Sequence, residues 1–135
     1  MPPKNAFSEK KASWLAVLCY MALIFLLSSF SPSPFFRQVS KYHTDWLVHS
    51  VEYGVLGALL IRAMTLNFHA SVWLPAAALL VGALYAASDE WHQSFVPLRD
   101  ASVYDWVADA IGLVAGIALV KKKLKPFGAT TKPYA

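Results

Sequence analysis

Four apolar runs dominate the chain, at residues 14–30, 46–66, 71–87 and 104–120. A membrane-spanning helix needs roughly 20 predominantly apolar residues, with about 17 as the lower limit. The first, third and fourth runs each have 17 residues and the second has 21. The first has no charged residue, the second is interrupted only by His49, Glu52 and Arg62, and the fourth contains Asp105 and Asp109. Composition agrees. AVILMFWYC residues make up 57% of the chain and charged residues 15%, against about 25% charged in soluble domains. Too few charges are left to cover a water-facing surface. The expected fold is all-α, a four-span transmembrane helical bundle with both termini cytoplasmic.

Other architectures fit poorly. A β-barrel requires period-two alternation of polar and apolar residues, which these runs lack. A soluble bundle requires polar stripes on its helices, and the first and third runs have essentially none. Lysines before an apolar stretch also begin a signal peptide, but no clear A-x-A site follows and further apolar runs lie downstream. The first run therefore reads as an anchor. Trp14, Trp46, Trp73, Trp91 and Trp106 each fall near an end of a run, where interfacial rings are favoured.

The domain reading follows from the runs. Residues 1–13 form a cytoplasmic N-terminal tail, 14–120 the membrane domain and 121–135 a basic cytoplasmic tail. Pro32 and Pro34 end the first run, and residues 88–102 form a polar connection. Lys4, Lys10, Lys11, Arg62, Lys121, Lys122, Lys123, Lys125 and Lys132 fall on one side, and Arg37, Lys41 and Arg99 on the other. Cations favour the cytoplasmic side. Residues 31–45 and 88–103 are thus expected outside. The net charge of +4 belongs to these flanks, so nucleic-acid binding is not expected. Cys19, the only cysteine, cannot form an internal disulfide and reads as a spectator in the first run.

The acids are the informative residues. Seven of eight lie between positions 45 and 109: Asp45, Glu52, Asp89, Glu90, Asp100, Asp105 and Asp109. With this topology they meet in the outer half of the membrane, where the second and fourth spans enter and the third leaves. Asp45, His49 and Glu52 share one helical face, as do Asp105 and Asp109. Gly112 and Gly116 continue the latter face and permit close helix approach, so the aspartates are expected to point into the bundle. An ionisable group at this depth costs at least a few kcal/mol unless it is paired or wet.

Each residue also has a structural reading. Asp45 can cap the second span, and Asp105 can be the acid of a capping box begun by Ser102. Asp89 and Glu90 sit at a helix C-terminus, where the dipole disfavours them, so they need compensation from Arg99, His92 or a cation. Arg99 can alternatively meet an anionic substrate. His43 and His69 read as loop residues. The candidate polar site is Asp45, His49, Glu52, Asp89, Glu90, His92, Arg99, Asp105 and Asp109. It suits acid–base chemistry. The same groups can hold a divalent cation, but no HExxH, phosphate loop or GxSxG signature is present, and no strong motif requires a cofactor.

Three stretches carry a resemblance: DWLVHSVEYGVLGALLIRA (45–63), YAASDEWHQSFVPLRDAS (85–102) and DWVADAIGLVAG (105–116). They resemble the VanZ-like family of bacterial membrane proteins at Asp45, His49, Tyr53, Ser88, Asp89, Glu90, His92, Gln93, Phe95, Arg99, Asp105, Gly112 and Gly116. The chain departs from the family pattern at three positions. Trp46 stands where several members have Lys, Leu98 where a Gly often precedes the Arg, and Asp109 where Asn is common. The resemblance implies a multi-pass protein of the bacterial cytoplasmic (inner) membrane with an envelope role. The family takes its name from a protein associated with teicoplanin resistance, which does not establish resistance here.

Three functions compete. One is binding of an envelope lipid, a lipid-linked precursor or a membrane-protein partner, with homo-oligomers as a variant. The second is a hydrolase or transferase acting on such a lipid, recognisable by product formation. The third is a component of an ion-coupled carrier, recognisable by flux in proteoliposomes.

Overall fold

A computed structural model describes residues 6–31, 33, 45–99 and 101–123. Among these residues all regular structure is helical: α1 Ala6–Ser28, α2 Asp45–Asn67, α3 Leu74–Gln93 and α4 Val103–Lys123. Three segments are long and apolar enough to cross a membrane, Phe7–Ser28, Trp46–Asn67 and Val103–Lys123. At 1.5 Å per residue, 22 residues extend about 33 Å, enough for a hydrocarbon core of about 30 Å.

Two boundaries differ from the sequence reading. Helix α1 begins at Ala6, so residues 6–13 are helical and lead without a break into the apolar run that starts at Trp14. Ala, Glu and Lys are good helix formers, and Glu9 in the first turn suits the dipole. Helix α3 continues to Gln93, whereas the apolar run stops at Ala87. Its buried face consists of Ala78, Gly82, Ala86, Asp89, Glu90 and Gln93. The apolar side of the helix becomes polar without changing direction. Trp91, on the opposite side, is 70% exposed. At the other end, Pro75 lies in the first turn, where its missing N–H costs nothing.

The helices alternate in direction. Tyr20 Oη donates to the Glu52 carbonyl (3.1 Å), and Asn67 Nδ2 donates to Ser13 Oγ (3.2 Å), which makes α1 and α2 antiparallel. Tyr85 Oη donates to the Met21 carbonyl (2.6 Å), and Trp106 Nε1 to the Ala83 carbonyl (3.1 Å). Helix α2 contacts all three others, most extensively α4. Tyr53, Leu56, Leu60 and Leu113 are fully buried at this centre. Leu15, Leu18, Leu26, Ile111 and Leu119 are each more than half exposed. These outward apolar side chains suit a lipid environment.

Glycines set the α2–α4 distance. A Cβ at Gly112 would overlap the Ser50 carbonyl oxygen, and one at Gly116 the Gly54 carbonyl oxygen. At Gly57 it would lie 2.6 Å from the Leu113 carbonyl oxygen. The two backbones touch where only glycine leaves room, as in membrane helix pairs built on small residues. Ser50 Oγ crosses the same seam to the Ala108 carbonyl at 3.0 Å.

Candidate functional site

The alternating helix directions bring four helix ends together: the last turns of α1 and α3 and the first turns of α2 and α4. Side chains there form two connected sets. In the first, between α2, α4 and α3, His49 Nδ1 lies 3.0 Å from Asp109 Oδ1. Both are buried, with Asp109 only 1% exposed. The contact follows from the glycine seam, because His49 is one residue before Ser50 and Asp109 three before Gly112. At the entrance to α4, the Ser102 N–H donates to Glu90 Oε2 (2.9 Å), and Ser102 Oγ accepts the Tyr104 N–H (3.1 Å). Ser102 therefore caps α4, but the acid that takes its N–H is Glu90 from α3 and not Asp105 of its own helix. Glu90 is compensated by the start of α4, where a negative charge is favoured.

The second set joins α3 to α1. Asp89 Oδ1 accepts a hydrogen bond from Ser28 Oγ (2.6 Å), and Oδ2 accepts one from Gln93 Nε2 (2.9 Å). Gln93 Oε1 in turn accepts from Arg99 Nη1 (3.1 Å). Arg99 also donates to the carbonyls of Leu27 (3.0 Å) and Phe30 (3.4 Å), at a helix end where a cation is favoured. The guanidinium thus reaches Asp89 through Gln93. His92 stands 3.0 Å from Ser29 Oγ through Nε2, with its ring 4.5 Å from that of Phe25. It belongs to the α1–α3 seam and not to the His49 group.

Glu52 is partly buried between the sets. It lies within electrostatic reach of His49, Asp89, Asp109 and Arg99. Asp105 is partly buried and approaches His49 and Glu90, and one ligand atom from each of these three residues lies within 4.8 Å of the others. The side chain of Asp45 lies outside the described residues, as do Asp100, Arg37, Lys41 and His43. His69 is exposed.

Among the described residues, two buried side-chain oxygens have no hydrogen-bond partner: Tyr53 Oη and Glu90 Oε1. Both belong to this end of the bundle, and Tyr53 is within electrostatic reach of Asp89, Asp109 and Glu52. Ser28, Ser29, Tyr53 and Gln93 were not among the nine candidates. Gln93 and Tyr53 are positions of the family resemblance, which gave them no role in the site. The two serines follow an apolar run with nothing to mark them.

The family model described as VanZ/LLP1 matches residues 13–125. The chain belongs to the VanZ/LLP1 family. The match takes in α1 from residue 13 onward and all of α2, α3 and α4, so the polar end of the bundle lies inside the family region. No curated protein and no solved structure matches the chain. Membership of the VanZ/LLP1 family, with three helices suited to crossing a bilayer, makes this a VanZ-like membrane protein.

Proposed function

We propose that this is a four-span protein of the bacterial cytoplasmic membrane, with cytoplasmic termini, whose polar helix ends face outward and bind the headgroup of an envelope lipid or lipid-linked precursor. The observation that carries the reading is that all four helices contribute polar side chains to one end of the bundle, and that several of them are buried there: Ser28, His49, Asp89, Glu90, Gln93 and Asp109. Charge at that depth is retained only where it is paired or used. Arg99 and His92, at the α1–α3 seam, are the groups suited to a headgroup phosphate. Trp46 and Trp91, 52% and 70% exposed, mark the same interface. The fourth span is α3. Its polar last turns are turned inward, which lowers its average hydropathy without exposing carboxylates to lipid.

Two experiments test the reading. A reporter fused after Lys123 should be active only in the cytoplasm, and activity outside the cell reverses the orientation. Lipids that co-purify with the wild type should be depleted from Arg99→Ala and Glu90→Gln proteins that remain folded. An identical lipid profile in all three removes headgroup binding.

A second reading is acid–base catalysis on the same class of lipid. It is favoured by the buried His49–Asp109 pair beside an unpartnered Glu90 oxygen. Positioned imidazole and carboxylate groups can exchange protons with a reacting group. Product formation by purified protein, abolished by His49→Gln, would select this reading over simple binding.

A further inference from the structure

We propose that His49, Glu90 and Asp105 form a binding site for one divalent transition-metal ion of the zinc class, with Asp109 orienting the histidine. This goes beyond lipid binding and requires no lipid. The three residues come from α2, α3 and α4, and their ligand atoms lie within 4.8 Å of one another. Ligands about 2.0–2.2 Å from zinc stand about 3.3–3.6 Å apart in a tetrahedral site. Closure by rotation about side-chain bonds, of about an ångström or more, is all the geometry asks.

Three further observations point to a cation. Glu90 is 91% buried, and its Oε1 has no partner while Oε2 is held by the Ser102 N–H. One oxygen is thus fixed and the other has no hydrogen-bond partner. His49 uses Nδ1 toward Asp109, so Nε2 is the nitrogen that remains to bind a metal. A histidine ligand that donates its other N–H to a carboxylate is the usual support for a bound metal. Finally, two carboxylates and a neutral imidazole balance a dication, so an occupied site carries no net first-layer charge at membrane depth. A histidine with two carboxylates favours zinc or manganese over magnesium or calcium. Three protein ligands leave a fourth position for water or an oxygen from another molecule.

The test uses the full chain purified in detergent, stripped with chelator and titrated with ZnCl2 by calorimetry, with circular dichroism to verify helical content. One zinc per chain is expected, bound at least tenfold more tightly than magnesium. Glu90→Gln and Asp105→Asn should each weaken zinc by at least tenfold. Asp109→Asn should weaken it by roughly 10–100-fold by loosening His49. His69→Ala should leave binding unchanged. Glu90→Gln keeps an oxygen for the Ser102 N–H, and Asp105→Asn supplies an independent variant if it fails to fold. No saturable zinc site in the wild type, unchanged affinity in both folded acid variants, or loss of zinc in His69→Ala would each overturn the proposal. Lipid depletion without zinc binding would leave the lipid reading standing and this one refuted.

Discussion

Alanine substitutions at the α2–α4 glycines should destabilise the bundle in an order set by backbone clearance. At Gly57 the new methyl group would sit 2.6 Å from the Leu113 carbonyl oxygen and 3.0 Å from its Cα, whereas unstrained carbon contacts lie at about 3.5–4.0 Å. These are main-chain atoms, so the helices must separate by about an ångström. Overpacking of this kind costs about 1–3 kcal/mol, and the better helix propensity of alanine returns about 1 kcal/mol. The net loss expected for Gly57→Ala is about 0–2 kcal/mol. Gly112→Ala and Gly116→Ala overlap carbonyl oxygens more deeply and should lose more. At Gly54 the nearest atom would be 3.3 Å away, so Gly54→Ala should change stability by less than about 0.5 kcal/mol, because propensity offsets a slight strain. Gly82→Ala meets only the side chain of Leu113, which can shift, and should be milder than Gly116→Ala. Reversible unfolding in mixed micelles, followed by helical circular dichroism, measures the series. Equal losses at Gly54 and Gly116 would refute this helix seam.

Leu98, 56% exposed, has φ 67°, the left-handed region that costs a non-glycine residue about 1–2 kcal/mol. Leu98→Gly should therefore raise stability by about 0.5–1 kcal/mol after the entropy of glycine is counted, and a lower unfolding midpoint would contradict the turn geometry. Asp109→Asn keeps a hydrogen-bonding group for His49, whereas Asp109→Leu strands a buried imidazole and should cost about 1–3 kcal/mol more in the same unfolding assay. Arg99→Lys cannot reproduce donation to Leu27, Phe30 and Gln93 together. It should speed proteolytic cleavage between 94 and 102, and an unchanged cleavage rate would show that the carbonyl contacts do not hold that connection.

The four helices and the meeting of polar residues were legible because hydrocarbon penalises charge so strongly: once four apolar runs are read as helices of alternating direction, the acids at positions 89, 90, 105 and 109 and the imidazole at 49 reach one end. Gly112 and Gly116 were also readable, since their spacing continues the face of Asp109. The end of α3 was misread because SDEWHQ looks like a water-exposed connection. Instead Ser28 and Gln93 hold both oxygens of Asp89, and Ser102 holds one oxygen of Glu90, partners on three different segments. Arg99 was expected to meet a carboxylate or a substrate. It reaches main-chain carbonyls, a choice with no side-chain signature in sequence.

The glycine seam and the polar cluster are mechanically one feature. Helices α2 and α4 run parallel, so His49 and Ser50 advance together with Asp109 and Gly112. Sliding one helix by a single turn moves its side chains about 5.4 Å, far more than the 3.0 Å His49–Asp109 contact can absorb. The register is fixed from below by backbone contact at Gly54, Gly57 and Gly116 and from above by Ser50 on the Ala108 carbonyl. A larger residue at Gly116 should therefore disturb the His49–Asp109 contact about two turns away without touching either residue. Histidine ring NMR signals in a folded Gly116→Ala protein should move toward those of Asp109→Leu. Unchanged His49 resonances would separate the seam from the site.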